Sequence, residues 1–433
     1  MEAEAGLESL TGAHTRVVWL QDAWEHEDVF SARGRVRLMA LDSRDGRGEQ
    51  VQIEGPAPLR RPLISPCGQW ILYSRNDDGG VWVLGWDSEV PSRLTDGVAL
   101  AVTDAEEGFW VYVGRAPVDP DAMDAFAEVV RVNAMNGSLE EPVWKEAPVG
   151  RDNFQVSPDG RWAGALFPWP TAGLADLETG TWQEMGRGCW TGLAPLEEPL
   201  MWILDGAHRN LNMVHGSSGE RWQVPVARHE AFGGHEIYHP RWSSHPRILT
   251  VSGPYKIRKG GNNIRGGGDS VEIHVGRFAA DWRSVEAWVQ VTDNAHANFF
   301  PDVWVADSGE VTAGPLAEAG SETEERDTTV YTVEARRLEV TPTPSMEDIA
   351  PYTQALAAHL YEVLEGPEAM TGEKLLIAHW VIREGETLVD APGQAGEIAQ
   401  LRIREYDAVP ELEGERLVID VSNLLLPLYV AED

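Results

Sequence analysis

The chain has 433 residues, 42% of them hydrophobic, a composition typical of a folded globular protein that is too long for one ordinary core. Its 70 acidic and 35 basic side chains give a formal net charge of −35. This balance excludes the basic surface that binding to nucleic acid or to an anionic membrane requires.

The first 13 residues contain neither a basic segment followed by an apolar run nor a span long enough to cross a membrane. We therefore expect an N-terminal tail over residues 1–13, with no signal peptide and no membrane insertion. An exported protein whose signal peptide was removed would begin in the same way. The expected location is periplasmic or extracellular in that case and otherwise cytoplasmic.

Short apolar strands separated by polar turns begin at residue 14. The clearest unit is FQVSPDGRWAGALF, residues 154–167, in which Ser-Pro-Asp-Gly joins two apolar strands. Proline fixes φ at the second position of such a turn and glycine accepts a positive φ near its end, so the sequence predicts a tight hairpin. A second copy, with cysteine in place of the aspartate, lies at residues 62–75.

Weaker copies of this unit lie at residues 101–114, 193–205, 240–253 and 298–309. Six turns that recur at intervals of about 40–60 residues are typical of the four-stranded blades of a β-propeller. The segment that starts at residue 14 lacks an inner strand, and residues 298–309 would supply it. We therefore predict a six-bladed propeller over residues 14–312, closed by pairing of strands from its two ends.

The segment SPDGRW, residues 157–162, and its weaker copies resemble the repeats of TolB-like (WD40-like) β-propellers. The resemblance covers about residues 14–310 and implies the propeller fold. It implies no single activity, because that family includes binding proteins, lyases and domains that act as lids of peptidases.

Residues 313–329 are acidic, small and polar, a composition that predicts a linker. Residues 330–433 then contain about five strand patterns with longer connections, enough for a small β-barrel or β-sandwich domain. The segment ALAAHLYEVLEG, residues 355–366, fits either a strand or a helix. The predicted fold is therefore all-β, a six-bladed propeller followed by a small C-terminal β-domain.

The segment HEIYH, residues 235–239, matches the H-E-x-x-H signature of zinc proteases, in which a helix brings both histidines to one ion. Two glycines precede this segment and Pro240 follows it, so we predict an extended conformation. In a strand the two histidines are too far apart to share one metal ion.

A looser metal site is a further hypothesis, because six histidines crowd between residues 208 and 245 and His296 follows in the next blade. Oligogalacturonate lyases are propellers that hold a divalent metal through histidines of neighbouring blades, and residues 234–236 and 294–298 are similar to such sites in outline. This resemblance implies His235 and His296 as metal ligands. The alternative is that these histidines cap turns and satisfy hydrogen bonds.

The basic island of this acidic sequence is a glycine-rich stretch over residues 256–268, with Lys256, Arg258, Lys259 and Arg265. Glycine lets backbone N–H groups converge on an anion, and arginine offers two parallel donors to a carboxylate, sulfate or phosphate. The alternative is a flexible insertion whose charges offset neighbouring acids.

Three further residues of the same repeat are candidates for the wall of a ligand site, namely His235, His239 and Trp242. Ligands of propellers usually bind where the loops of all blades converge over the central funnel. We therefore predict one site in which these residues and the basic loop hold an acidic ligand.

The sequence contains no G-x-S-x-G motif and no other coherent pairing of a nucleophile with a base. We therefore favour a non-catalytic binding or scaffold protein with no required cofactor. It would recognise an acidic glycan or a protein partner through the funnel. The alternatives are a metal-dependent polysaccharide lyase that uses His235 and His296, and an assembly module that docks a partner through its C-terminal domain.

Overall fold

The computed structural model describes residues 2–23, 36–119, 124–256, 271–306, 328–388 and 393–432. Nearly all regular structure in these ranges is β-strand, which confirms the prediction of an all-β chain. The exceptions are helix α1 (Glu2–Thr11), the short helix α2 (Met346–Ile349) and three single 3-10 turns. No helix in these ranges is long and apolar enough to cross a membrane.

The strands that build the propeller are, in chain order, β1 (Thr15–Asp22), β2 (Val36–Asp42), β3 (Gln50–Ala57), β4 (Leu59–Ile64), β5 (Trp70–Arg75), β6 (Gly80–Gly85), β7 (Ser92–Asp96), β8 (Val98–Asp104), β9 (Phe109–Pro117), β10 (Ala125–Asn133), β11 (Glu140–Trp144), β12 (Val149–Gly150), β13 (Gln155–Val156), β14 (Trp162–Leu166), β15 (Thr171–Asp176), β16 (Thr181–Arg187), β17 (Thr191–Leu193), β18 (Leu200–Leu204), β19 (Leu211–His215), β20 (Arg221–Val224), β21 (Glu236–Trp242), β22 (Ile248–Tyr255), β23 (Glu272–Phe278), β24 (Val285–Gln290) and β25 (Asn298–Val305).

These strands form six blades, and the first blade joins the two ends of the propeller by pairing β25 with β1, followed by β2 and β3. The other blades follow the chain from inner to outer strand as β4–β7, β8–β11, β13–β16, β17–β20 and β21–β24, and the short β12 pairs with β10. The inner strands β4, β8, β13, β17, β21 and β25 contact one another in that order and close into a ring. The predicted six-bladed propeller and its closure by both ends are confirmed.

The Ser-Pro-x-Gly turns connect the inner strand of a blade to its second strand. In blade 4, the N–H of Ser157 donates to the carbonyl of Trp162 at 2.9 Å, and the N–H of Trp162 donates to Ser157 Oγ at 2.9 Å. Gly160 has a φ of 75°, the left-handed conformation that this turn requires. Ser65 and Trp70 form the same two hydrogen bonds in blade 2, at 2.9 and 3.0 Å.

The closure of the ring depends on the buried side chain of Asn298, at the start of β25. Its Oδ1 accepts hydrogen bonds from Trp19 Nε1 at 2.9 Å and from Gln21 Nε2 at 3.0 Å, both on β1. Its Nδ2 donates to Glu272 Oε2 on β23 at 2.9 Å. One amide therefore connects the first strand, the last strand and the sixth blade.

The segment predicted as an N-terminal tail contains α1, whose Leu7 and Leu10 are buried against blade 6. Arg277 of β23 donates to the carbonyl of Leu10 at 2.9 Å. A Cβ at Gly6 would lie 3.1 Å from the side chain of Val289 on β24, so the helix approaches the sheet closely at this point. Too few apolar positions recur at helical spacing in ten residues to predict this helix from the sequence.

The C-terminal strands are β26 (Tyr331–Glu339), β27 (Ala355–Glu365), β28 (Lys374–Arg383), β29 (Glu386–Thr387), β30 (Ile398–Glu405), β31 (Arg416–Ile419) and β32 (Leu428–Ala431). Five of them close into a barrel in the order β28, β32, β30, β26, β27 and back to β28, while β29 and β31 attach at its side. The segment that fitted either a strand or a helix is the strand β27. The predicted linker, residues 313–329, lies outside the described residues except for its last two.

The barrel contacts the propeller at a loop of blade 5. The N–H of Gly206 donates to the carbonyl of Glu413 at 2.7 Å, and the N–H of Leu417 donates to the carbonyl of Gly206 at 3.1 Å. A Cβ at Gly206 would lie only 1.8 Å from the carbonyl oxygen of Glu415. This position therefore accepts only glycine while the barrel stays in contact.

Candidate functional site

The central channel of the propeller opens into a cavity of about 970 Å³. This volume is at the upper end of the range for small-molecule pockets. All six blades contribute to its walls through the ends of the inner strands and the turns that follow them, within residues 64–66, 101–104, 155–158, 193–197, 241–246 and 302–306.

The charged side chains of this cavity differ in their exposure. Arg241 and Asp302 form a buried ion pair between the neighbouring inner strands β21 and β25. The second carboxylate oxygen of Asp302 accepts the N–H of Ile64 at 2.7 Å. Asp104 and Glu197 are exposed. Arg241 and Asp302 in the wall therefore neutralise each other, whereas the acidic side chains Asp104 and Glu197 are exposed at the rim.

A second group of charges lies near the start of the inner strand β4, at the opposite end from the cavity. Arg61 of this strand is 9% exposed. Its two terminal nitrogens donate to the carbonyl oxygens of Asp152 and, at 3.2 Å, of Leu100. Arg151 forms an ion pair with the carboxylate of Asp152 at 3.0 Å. Arg61 thus lies in the protein interior, although an arginine would ordinarily be expected at the surface.

The predicted ligand site lies only partly within the described residues. Lys256 is exposed directly after β22, and His235 is half-buried directly before β21. Burial lowers the pKa of His235, and the charges of Arg209 and Lys256 lower it further. His235 and Lys256 are therefore close to each other, and His235 is neutral near pH 7. The other three predicted basic residues lie outside the described residues: Arg258, Lys259 and Arg265.

Trp242 lies at the opposite end of β21 from His235, about 20 Å along the strand. It contributes to the cavity wall, but its side chain is only 1% exposed and its Nε1 donates to the carbonyl of Pro246 at 2.8 Å. The structure therefore separates Trp242 from His235 and Lys256, and the three do not form one wall.

His239 lies in the middle of β21 and is 3% exposed. The segment is a strand, as predicted, yet His239 itself has a φ of 52° at an irregularity in the pairing of β21 with β22. Its Nδ1 is 2.5 Å from Ser252 Oγ, and burial lowers its pKa to about 3. It is a neutral interior histidine in this structure.

The proposed metal ligands His235 and His296 precede the neighbouring inner strands β21 and β25. The Nδ1 atom of His296 is buried and has no hydrogen-bond partner among the described residues. Within those residues, no group of three or more histidine, cysteine, aspartate or glutamate side chains is arranged to hold a metal ion. The metal site at His235 and His296 therefore remains a prediction.

A buried polar network at the junction of propeller and barrel was not predicted. Arg416 of β31 donates to both carboxylate oxygens of Glu236 on β21, at 2.8 and 3.1 Å. The hydroxyl of Tyr238 donates to Glu236 Oε2 at 2.6 Å. Burial by itself would raise the pKa of Glu236, but the charge of Arg416, the hydrogen bond from His208 and the charge of Arg209 together outweigh burial and hold this pKa well below its usual value. Glu236 is therefore an ionised, fully paired carboxylate.

The same network continues from His208 to Tyr352 and Cys189. His208 Nδ1 is 2.8 Å from the hydroxyl of Tyr238, and its Nε2 is 3.2 Å from the hydroxyl of Tyr352. Tyr352 Oη is 2.6 Å from Cys189 Sγ. Burial lowers the pKa of His208 to about 4 and raises the pKa of Cys189 to about 11. Neither group is activated as a base or a nucleophile at neutral pH, so the network is suited to holding the two domains together.

No family model and no curated protein matches the sequence. Solved structures with a similar fold include TolB from Acinetobacter baumannii, with 12% identity, a TM-score of 0.45, and coverage of 69% of this chain and 70% of that chain. A nidogen/laminin complex has 7% identity and a TM-score of 0.45 over 67% of this chain and 98% of that chain. A putative TolB from Agrobacterium tumefaciens has 13% identity and a TM-score of 0.27 over 66% and 73%.

The TolB-like resemblance is confirmed for the fold alone. It rests on the six four-stranded blades and on the pairing of β25 with β1. Similarity at these identities and TM-scores carries no information about the ligand or the activity of this chain.

Proposed function

We propose that the protein is a non-catalytic binding scaffold and that an extended segment of a protein partner enters its central channel. The observation that carries this proposal is the cavity of about 970 Å³, to which all six inner strands contribute. A concave site of this size, built on rigid strands, holds a ligand without the cost of ordering loops.

The polar groups of the cavity support binding more than catalysis. Ser243 Oγ donates to the carbonyl of His245 at 3.0 Å, and His245 Nδ1 accepts the N–H of Arg247 at 3.1 Å. Ser244 Oγ donates to the carbonyl of Val305 at 3.2 Å, and Asp302 is held by Arg241. Each of these groups is engaged in a turn or an ion pair, so none of these serines is paired with a base.

The charge of the rim indicates the kind of segment that fits. Asp104 and Glu197 are exposed at the cavity, in a protein whose formal net charge is −35. Such a field attracts cationic partners and repels anionic ones during the approach. We therefore infer that the partner segment carries lysine or arginine.

The experiment is selection of peptides from a random library on the native protein, followed by fluorescence anisotropy with the enriched peptide. The variant Asp104→Lys/Glu197→Lys reverses the charge of the rim, and Glu107→Lys is the matched control because Glu107 is exposed in the same blade but does not line the cavity. We expect basic peptides, with binding at least about tenfold weaker in the double variant and unchanged in the control. Failure to enrich any peptide, or equal affinity for all three proteins, contradicts the proposal.

An acidic glycan is the second candidate ligand, and the excess of arginine in the channel favours it. Among the described residues, the charges that act most on Arg60 and Arg61 are those of Arg151 and Arg241 and of the carboxylates Asp152 and Asp302. Calorimetry with uronic-acid oligomers tests it, with the native protein compared to the basic-loop variant Arg258→Ala/Arg265→Ala. Binding that this variant weakens supports a glycan at the loop, and no binding by the native protein contradicts it.

The metal-dependent lyase that uses His235 and His296 remains the alternative among enzymes. The buried Nδ1 of His296, which lacks a partner in the described part of the chain, is the observation in its favour. Metal analysis of protein prepared without chelators distinguishes the lyase from the non-catalytic binding scaffold. A stoichiometric divalent ion that His296→Ala removes supports the lyase, and protein that binds no added manganese, zinc or calcium contradicts it.

A further inference from the structure

Among the described residues, more arginines than carboxylates surround the start of the inner strand β4. Arg60 and Arg61 are on β4, and the connection into β13 supplies Arg151 and Asp152. The charges of Arg151 and Asp152 act on both Arg60 and Arg61, which shows that the four side chains are close together. In a chain with twice as many acidic as basic residues, this concentration of arginine is the reverse of the overall balance.

The two carboxylates near this cluster are already neutralised by other arginines. Asp302 forms its ion pair with Arg241, and Asp152 forms its ion pair with Arg151. Among the described residues, neither Arg60 nor Arg61 has a carboxylate within ion-pair distance. Neither guanidinium group therefore has an ion-pair partner among the described residues, and the nearest compensating charges are those of Asp152 and Asp302.

The hydrogen bonds of the two side chains are also incomplete. Arg61 uses its terminal nitrogens for two carbonyl oxygens, while its Nε is buried without an acceptor in the described part of the chain. Arg60 is half-buried, its Nε is buried without an acceptor, and its guanidinium makes no hydrogen bond to a described residue. Buried donors of charged groups that lack partners are rare in native proteins, because each costs free energy.

The electrostatic environment agrees with this geometry. Burial lowers the pKa of Arg61 to about 9, with a further contribution from Arg241. Burial lowers the pKa of Arg60 to about 10, with a further contribution from Arg151. Both shifts mean that the charged form lacks sufficient compensation in the folded protein, and a bound anion would supply it.

We propose that the channel holds a small oxyanion, a carboxylate or an inorganic phosphate or sulfate, against Arg60 and Arg61. The planar guanidinium donates two parallel hydrogen bonds to such a group, which single-atom anions cannot accept in the same way. The site is distinct from the acidic rim of the cavity at Asp104 and Glu197. It does not depend on whether a protein segment enters the channel.

The test is calorimetric titration of the full chain with inorganic phosphate and, in a second arm, with acetate, at constant low ionic strength set by chloride. Arg60→Gln is the main variant, because Arg60 makes no hydrogen bond to a described residue and its loss should leave the fold intact. Arg61→Gln is the second variant. Arg402→Gln is the matched control, since Arg402 is 65% exposed on the barrel.

We expect the native protein and Arg402→Gln to bind the anion equally, and Arg60→Gln to bind it at least about tenfold more weakly. Preference for phosphate indicates a free tetrahedral oxyanion, and preference for acetate indicates a carboxylate such as that of a partner side chain. Absence of binding in both arms, or equal affinity of Arg60→Gln and the native protein, overturns the proposal. Peptide binding at the rim is measured separately, so failure of one proposal leaves the other intact.

Discussion

Arg416 of the barrel and Glu236 of the propeller form a buried ion pair, with side chains 5% and 1% exposed. Both carboxylate oxygens accept from the same guanidinium nitrogen, at 2.8 and 3.1 Å. The other terminal nitrogen of Arg416 donates to the carbonyl oxygens of Gly206 and Leu417, at 3.2 and 3.1 Å. Because one side chain binds both domains in a water-excluded position, it fixes how the barrel is placed on blades 5 and 6.

The first prediction concerns the loss of this pair. Arg416→Met leaves the Glu236 carboxylate buried without its counter-charge, so the free energy of unfolding should fall by about 3–5 kcal/mol. Arg187→Gln is the control at the same junction, because the ion pair of Arg187 with Glu415 is 3.4 Å long and Arg187 is 54% exposed. That variant should lose less than about 1 kcal/mol. Equilibrium unfolding in guanidinium chloride measures both.

The double variant Arg416→Met/Glu236→Gln adds a further check. Removal of both charges should recover a large part of the loss, because no unpaired buried charge remains. An additive loss in the double variant would show that the two side chains act independently, contrary to the ion pair described here.

The second prediction concerns the closure of the propeller. Asn298→Ala leaves Trp19 Nε1, Gln21 Nε2 and Glu272 Oε2 without one of their hydrogen-bond partners, in a buried position. Stability should fall by about 2–4 kcal/mol. Asn136→Ala is the control, since Asn136 lies in an exposed turn, and it should change stability by less than about 0.5 kcal/mol. Similar losses in the two variants would contradict the role of Asn298.

The third prediction concerns acidic pH. Burial lowers the pKa of His239 and of His359 to about 3, and of His274 to about 4, whereas unfolded histidine has a pKa near 6.5. Between these values the unfolded chain binds more protons, so the stability present above pH 6.5 is lost as the pH falls. Glu272 has the opposite effect on stability, because burial raises its pKa to about 7. The folded chain therefore binds this proton more readily than the unfolded chain, and the contribution of Glu272 to stability rises as the pH falls.

A single substitution measures how much one histidine contributes to this pH dependence of stability. His359 Nδ1 accepts the N–H of Thr341 at 2.9 Å, and glutamine can retain an acceptor there. Below pH 6.5, the stability of His359→Gln should fall less steeply with pH than that of the native protein. The difference between the two slopes should be about 1.4 kcal/mol per pH unit. Urea unfolding between pH 7.5 and 4.5 measures the slopes. Parallel slopes would mean that His359 binds its proton equally well in the folded and the unfolded chain, which contradicts a lowered pKa.

The propeller could be predicted because its signals are local. Ser157, Gly160 and Trp162 lie within six residues, and their hydrogen bonds close one turn. The first blade lacks an inner strand near the N-terminus, so a strand from the C-terminal end of the propeller must supply it. This strand is β25. Helix α1 was missed, because it depends on packing against blade 6 more than on its own residues.

The candidate sites depend on long-range contacts, which the sequence does not show. In the sequence Glu236 stands out only as part of the segment HEIYH, and its partner Arg416 is 180 residues away. Nothing local distinguishes Arg416 from other arginines. Arg60 and Arg61 resemble surface residues in the sequence, and only the packing of the inner strand β4 buries Arg61 fully and Arg60 in part. Trp242 and His239 were predicted to line the ligand site together, but the strand that carries them buries both side chains.

The most direct measurement of the central claim, binding through the channel, is photo-crosslinking of the selected basic peptide. One variant carries a photoreactive residue in place of Leu196 in the cavity wall, and another carries it in place of Leu139, which is exposed on blade 3 and does not line the cavity. We predict cross-linking at position 196 that Asp104→Lys/Glu197→Lys abolishes, and none at position 139. Cross-linking at position 139 alone, or equally at both positions, would contradict binding through the channel.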